Sequence, residues 1–159
     1  MTKKINKTNA MRLLDKCDIS YDIHTYDNRD NMVDGVTVAH MIKKDKDMVF
    51  KTIVTQSKSD IYVFVLPVAK ELNLKKCATA VNEKHVSLVE IKKIVDFTGY
   101  IKGGCSPLGM KKVYQTVFDE TAILFDRILF NAGKVGILIE IETNRIKDAI
   151  DISFFDICQ

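Results

Sequence analysis

The run IYVFVLP, residues 61–67, is apolar at almost every position and closes on a proline. Side chains along a strand alternate between the two faces of a sheet. A run apolar on both faces therefore demands a central strand with packed layers above and below it. Pro67 cannot donate to a ladder and ends the strand. Just upstream, MVFKTIVTQ (48–56) is a second β-rich run, and SKSD (57–60) between the two has turn chemistry. The pair predicts an antiparallel hairpin whose second strand lies inside a sheet.

The rest of the chain mixes helical and strand patterns around that hairpin. TNAMRLLDKC (8–17) reads as an opening helix that Thr8 or Asn9 can cap. YDIHTY (21–26) alternates as a strand, and DNRDNMVDG (27–35) reads as a polar loop. TVAHMIKK (37–44), KELNLKKCATAV (70–81) and SLVEIKKIVDF (87–97) read as helices. VYQTVFD (113–119), RILFN (127–131) and GILIEIE (136–142) read as strands, the last two joined by the turn NAGKVG. NRIKDAI (144–150) predicts a last helix and ISFFDI (152–157) a tail strand. This order is not regular βαβ alternation. It predicts an α+β (mixed α/β) single domain over residues 1–159. At its centre stands one strongly curved mixed sheet approaching a barrel, surrounded by helices.

Composition excludes several classes of function. With 159 residues, 47% of them hydrophobic and 28% charged, the chain can bury a core without disulfides or metal. Tryptophan is absent and aromatics are sparse, which disfavours a stacking platform for single-stranded nucleic acid. No stretch approaches the ~20 apolar residues of a membrane helix, and the N-terminus lacks a signal-peptide core, so a cytoplasmic protein with no membrane partner is expected. Cys17, Cys77, Cys105 and Cys158 form no CxxC pair, and His24, His40 and His85 show no ligand spacing. No metal and no cofactor are expected. The net charge of +3 is too mild for a DNA-binding arm, so no DNA partner is expected. Lysines nevertheless come in pairs: 3–4, 43–44, 75–76, 92–93 and 111–112. They are either solvated faces or a patch that converges on phosphates.

Two features carry candidate chemistry. Lys51 sits inside the apolar strand VFKTIV, on the face of Val49 and Ile53. It is either an edge gatekeeper with a snorkelling side chain or a cation at the floor of a cleft. The stretch GYIKGGCSPLG (99–109) holds four of the seven glycines and one of the two prolines. It lacks the spacing of a phosphate-binding P-loop and of a dinucleotide fingerprint. It is either a plain turn or a place where backbone N–H groups meet a ligand oxygen. Cys105 reads better as a small buried residue than as a nucleophile, since no spacing assigns it a base. Ser106 lacks the context of a nucleophile elbow. His24 and Tyr26 share a strand face, as a pocket wall or as a satisfied core pair.

These residues bring out a resemblance to the YbaK/EbsC family of aminoacyl-tRNA editing domains, and within it to the free-standing Cys-tRNA(Pro) deacylases. TNAMRLLDKCDISYDIHTYD, VFKTIV, ELNLKKCA, TGYIKGGCSPLGMKK and AGKVGILIEI are similar to family elements, in the same order and over nearly the whole chain. The resemblance implies a deacylase acting in trans on cysteine mischarged to tRNA(Pro), with prolyl-tRNA synthetase as a further partner. It implies Lys51 as the essential lysine and Gly103 and Gly104 as the pocket wall. Tyr26, Thr98, Cys105, Ser106 and Pro107 complete the implied substrate-binding set, and Lys111 and Lys112 would meet the tRNA backbone. It implies no protein nucleophile: the substrate thiol attacks its own ester while the enzyme positions it. Val135, Leu138 and Cys105 depart from the family pattern, as does the loop 27–36.

Overall fold

The computed structural model describes residues 5–27 and 34–159. The elements run α1 (Asn9–Lys16), β1 (Tyr21–Thr25), α2 (Gly35–Met41), β2 (Phe50–Gln56), β3 (Ile61–Pro67), α3 (Leu74–Ala80), β4 (Ser87–Leu88), α4 (Ile91–Thr98), β5 (Gln115–Asp119), β6 (Arg127–Lys134), β7 (Ile137–Glu142) and β8 (Ile152–Phe155). Short 3-10 turns cover Lys46–Met48, Glu120–Leu124 and Thr143–Asp148. The N-cap of α1 is Thr8, whose hydroxyl accepts from the Met11 N–H.

The mixed α+β class stands, but the one curved sheet expected from the sequence is two sheets, and they form no closed barrel. The larger has the order β4-β2-β3-β5-β8, the smaller β1-β7-β6. They meet at a single bridge, Val49 with Leu129. The hairpin is present, with Lys51 opposite Leu66 and Ile53 opposite Phe64. β3 is central as its composition requires, antiparallel to β2 and parallel to β5. Val63, Phe64, Val65 and Leu66 are fully buried. Val63 and Val65 join a core shared with α1 and the small sheet, while Phe64 and Leu66 join a second core under α3.

Three local expectations are corrected. The run 87–97 is not one helix, because the Val89 N–H bonds to the Val54 carbonyl and ties β4 to β2 before α4 starts. The run 144–150 is not an α-helix; Thr143–Asp148 is a 3-10 turn. The 131–136 turn is narrower than expected, since β6 continues to Lys134 through a register shift. Of the loop 27–35, residues 28–33 lie outside the described residues.

Candidate functional site

β4 covers the outer edge of β2 only at Thr55 and Gln56. From Phe50 to Ile53 that edge has no ladder partner among the described residues. A cavity of about 320 Å³ opens there, and Val49, Phe50, Lys51, Thr52 and Ile53 all line it. Tyr26 from the end of β1, Gly35 and Val38 from α2, and Leu138 from β7 add to the wall. Lys102, Gly103 and Cys105 bring the glycine-rich loop into the same cavity, together with Asn131 of β6.

Four of the sequence-derived site residues therefore meet: Tyr26, Lys51, Gly103 and Cys105. Lys51 is half-buried and makes no ion pair or hydrogen bond among the described residues. Gly103 has φ +86°, a conformation that suits glycine. At Gly104 a Cβ would stand 3.0 Å from the Val135 amide nitrogen, so the loop lies flush on the β6–β7 hairpin. Burial pushes the Cys105 thiol up to about 11, so it stays protonated at neutral pH and makes a poor nucleophile.

The other residues implied by the resemblance lie around the cavity rather than on its wall. Ser106 is fully buried, and its hydroxyl accepts from the Leu108 N–H at 3.2 Å. Thr98 donates to the Ile94 carbonyl at 2.8 Å and accepts from the Tyr100 N–H at 3.0 Å. Both shape the loop from within. Gly104 is buried behind Gly103. Pro107 and Lys112 line a separate depression with Gly109 and Met110. Lys111 is exposed and donates to the Asp96 carbonyl.

The lysine pairs are less free than their spacing suggests. Lys44 is bound to Glu140, Lys76 to Asp156 and Lys92 to Glu90. With Lys111 held by Asp96, each described pair spends one lysine on the protein itself.

Two functional candidates escaped the sequence reading. Thr52 lines the cavity, and its hydroxyl is buried without a hydrogen-bond partner among the described residues. A buried polar group left unpaired is costly. Asn131 stitches the loop to the hairpin. Its amide donates to the Gly103 carbonyl at 2.9 Å, and its oxygen accepts from the Gly133 and Lys134 N–H groups at 2.7 and 3.0 Å. Periodicity flags neither residue, because a threonine in a strand and an asparagine beside a turn are ordinary.

A larger cavity, about 580 Å³, lies at the far end of β6 between Ile123, Phe125, Arg127, Glu142, Lys147 and Phe154. It holds none of the residues named from the sequence. Among the described residues no cluster of three or more His, Cys, Asp or Glu side chains comes together. No helix among them is long and apolar enough to cross a membrane.

The model of the aminoacyl-tRNA editing domain matches residues 31–149 of this chain. The chain belongs to that family. It is 36% identical over 156 residues to EbsC of Enterococcus faecalis, covering 98% of this chain and 95% of that protein, whose name designates it a candidate Cys-tRNA(Pro)/Cys-tRNA(Cys) deacylase. The fold is shared with the crystal structure of a candidate trans-editing enzyme for prolyl-tRNA synthetase, at TM-score 0.85, 14% identity and 95% coverage of each chain. It is shared equally with the hypothetical protein APE2540, at TM-score 0.84 and 16% identity, over 96% of this chain and 100% of that one.

Proposed function

We propose that this chain is a trans-editing deacylase that hydrolyses cysteine mischarged to tRNA(Pro), taking the acceptor end into the cavity beside β2. One observation carries the reading: Lys51, unpaired among the described residues, stands on a cavity also lined by the glycine loop and the open edge of β2. Lys51 faces the ester oxygen and offsets the charge that develops there. Main-chain groups of the open β2 edge and of Gly103 hold the terminal adenosine and the aminoacyl group. The substrate thiol sulfur forms a bond to its own carbonyl carbon. The ester C–O bond then breaks, and the proton passes to the departing ribose oxygen. Water afterwards opens the thiolactone. No protein nucleophile is needed, in keeping with the protonated state of Cys105. Prolyl-tRNA synthetase supplies the choice of tRNA body.

A second reading has its own support. Leu138 is buried and apolar on the cavity wall. Such a wall accepts the methyl group of alanine as readily as a thiol, and packing alone separates side chains one methyl group apart by only ~10–200-fold. An alanine- or serine-specific deacylase of the same superfamily is therefore the alternative.

Single-turnover deacylation of Cys-tRNA(Pro), beside Ala-tRNA(Pro), with wild type and Lys51→Ala tests both readings. Fast loss of cysteine that disappears in the variant supports the first. Preferential loss of alanine supports the second. No loss from either substrate, with the fold intact, overturns the deacylase assignment.

A further inference from the structure

Part of the wall of the cavity that Lys51 lines is contributed by α2, an element of seven residues. Val38 and Ala39 are buried against Val49, Leu129 and Leu138, and Gly35 and Val38 line the cavity. An element this short has little intrinsic stability and depends on tertiary ties. One tie is steric: a Cβ at Gly35 would stand 2.5 Å from Val68 Cγ1, so the start of α2 lies directly on the residue that follows β3.

The other tie is ionic and lies at the opposite end. The Lys44 N–H bonds to the Ala39 carbonyl at 2.9 Å, which fixes the exit from α2. The Lys44 ammonium then reaches Glu140 Oε1 at 3.0 Å. Glu140 is not a casual surface carboxylate, for its side chain is only 9% exposed. It also binds His24 Nε2 at 3.0 Å and Arg127 Nε at 2.7 Å. Arg127 is held in turn by Asp22 at 2.9 Å. Two cations, Lys44 and Arg127, and the His24 imidazole therefore converge on one carboxylate, from the segment after α2, β6 and β1. Glu140 follows Leu138 by two residues on β7, so both face the same side of the small sheet. The cluster is next to the cavity wall along the strand, without being part of it.

We propose that Glu140 is a positioning residue for the candidate site: through Lys44 it clamps α2 against the small sheet and sets the width of the cavity that Lys51 lines. Its kinetic consequence rests on the deacylase reading; its structural consequence does not. The clamp acts on substrate affinity more than on the chemical step, because α2 supplies walls and no reacting group.

The test compares wild type, Lys44→Met, Lys44→Arg and the double variant Lys44→Met/Glu140→Gln in two measurements on the whole chain. The first is amide hydrogen exchange in α2. The second is single-turnover deacylation of Cys-tRNA(Pro) over a series of enzyme concentrations. Lys44→Met should raise the half-saturating concentration about fivefold, the scale of a partly exposed ion pair, and leave the saturating rate within about twofold. Its α2 amides should exchange faster, and Lys44→Arg should restore both readouts. Adding Glu140→Gln should raise the half-saturating concentration no further, since the clamp is already open. A well-folded Lys44→Met with unchanged affinity, or with unchanged α2 exchange, overturns the clamp. If wild type hydrolyses no aminoacyl-tRNA, the deacylase reading falls and the clamp stands or falls on exchange alone.

Discussion

The two cavities at opposite ends of β6 differ in size and in how their charges are spent. At the larger one, near Arg127, the less exposed polar side chains already have partners, while Asp126, Glu142, Asn144 and Lys147 stand exposed on its rim. Arg127 is bound by Glu140 and Asp22, and the Thr143 hydroxyl donates to the Phe125 carbonyl at 2.7 Å. The smaller one, near Asn131, keeps the ammonium groups of Lys51 and Lys102 unpaired among the described residues. Volume is what imperfect closure of two sheets leaves behind. Unspent polar groups cost free energy in the empty protein, and a bound ligand can return it. The comparison therefore favours the smaller cavity as the reactive one.

Several experiments can break or sharpen that contrast. The largest effect is expected from Lys51→Ala, which should slow single-turnover deacylation ~10²–10³-fold, the usual scale for losing one stabilising charge or donor. Its melting temperature should hardly move, since Lys51 supports nothing else; equal losses of rate and stability would erase the contrast. At the other cavity the signs should reverse. Phe154→Ala removes a ring packed on Phe118 at 6.2 Å. It should cost about 3 kcal/mol in denaturant melts while the rate per folded molecule is kept. Thr52→Val comes next. Replacing an unpartnered, closed-off hydroxyl by a methyl group should leave stability equal or higher and kcat/KM within about twofold. A drop in stability would mean that the hydroxyl has a partner in the empty protein.

Acid probes the ion cluster that serves both cavities. Burial alone would raise the Glu140 carboxyl, but its bonds from Arg127, Lys44 and His24 outweigh burial and hold it below its ordinary 4.5. A carboxyl depressed in the folded state contributes stability that is present above its unfolded value and lost as pH falls through the folded one. Melts should therefore weaken progressively below about pH 4.5, and Glu140→Gln should flatten that slope. A similarly small effect is expected from Cys105→Ser, which should keep the rate within about threefold because the thiol is neutral and has no nucleophilic task.

Much of this was legible from local chemistry. The uninterrupted run at 61–67 could only be an inner strand, and it is one. Of the two caps offered for the first helix, Thr8 is the one used, while the glycine stretch, open between a plain turn and a ligand approach, packs Gly104 against the Val135 backbone. What local chemistry cannot carry is closure. The split into two sheets depends on how strands distant in sequence twist past each other, and no single run encodes the lone Val49–Leu129 bridge. The start of 87–97 was misread for a related reason. Its apolar spacing suits a helix, yet the free edge of β2 claims its first residues. At the site, Lys51 stood out because a lysine in an apolar strand is conspicuous. Thr52 did not, because an orphaned hydroxyl is recognisable only once its surroundings are known. Thr98 and Ser106 were named by resemblance, and each satisfies its hydroxyl within the loop, so their contribution to the site is through the loop's shape.

The divided use of the lysine pairs has a consequence for electrolyte dependence. Binding to a nucleic-acid backbone strengthens as condensed counterions are released, and the logarithm of affinity falls with the logarithm of salt by ~0.7–0.9 for each phosphate neutralised. Tying Lys44, Lys76, Lys92 and Lys111 to its own acceptors leaves the chain fewer cations to trade for that atmosphere than its lysine pairs suggest. Its grip on the proposed acceptor end should fade less steeply with ionic strength than four intact lysine pairs would give. Selection would then rest on the ester and the last nucleotide, where Lys51 stands unpaired on an open strand edge.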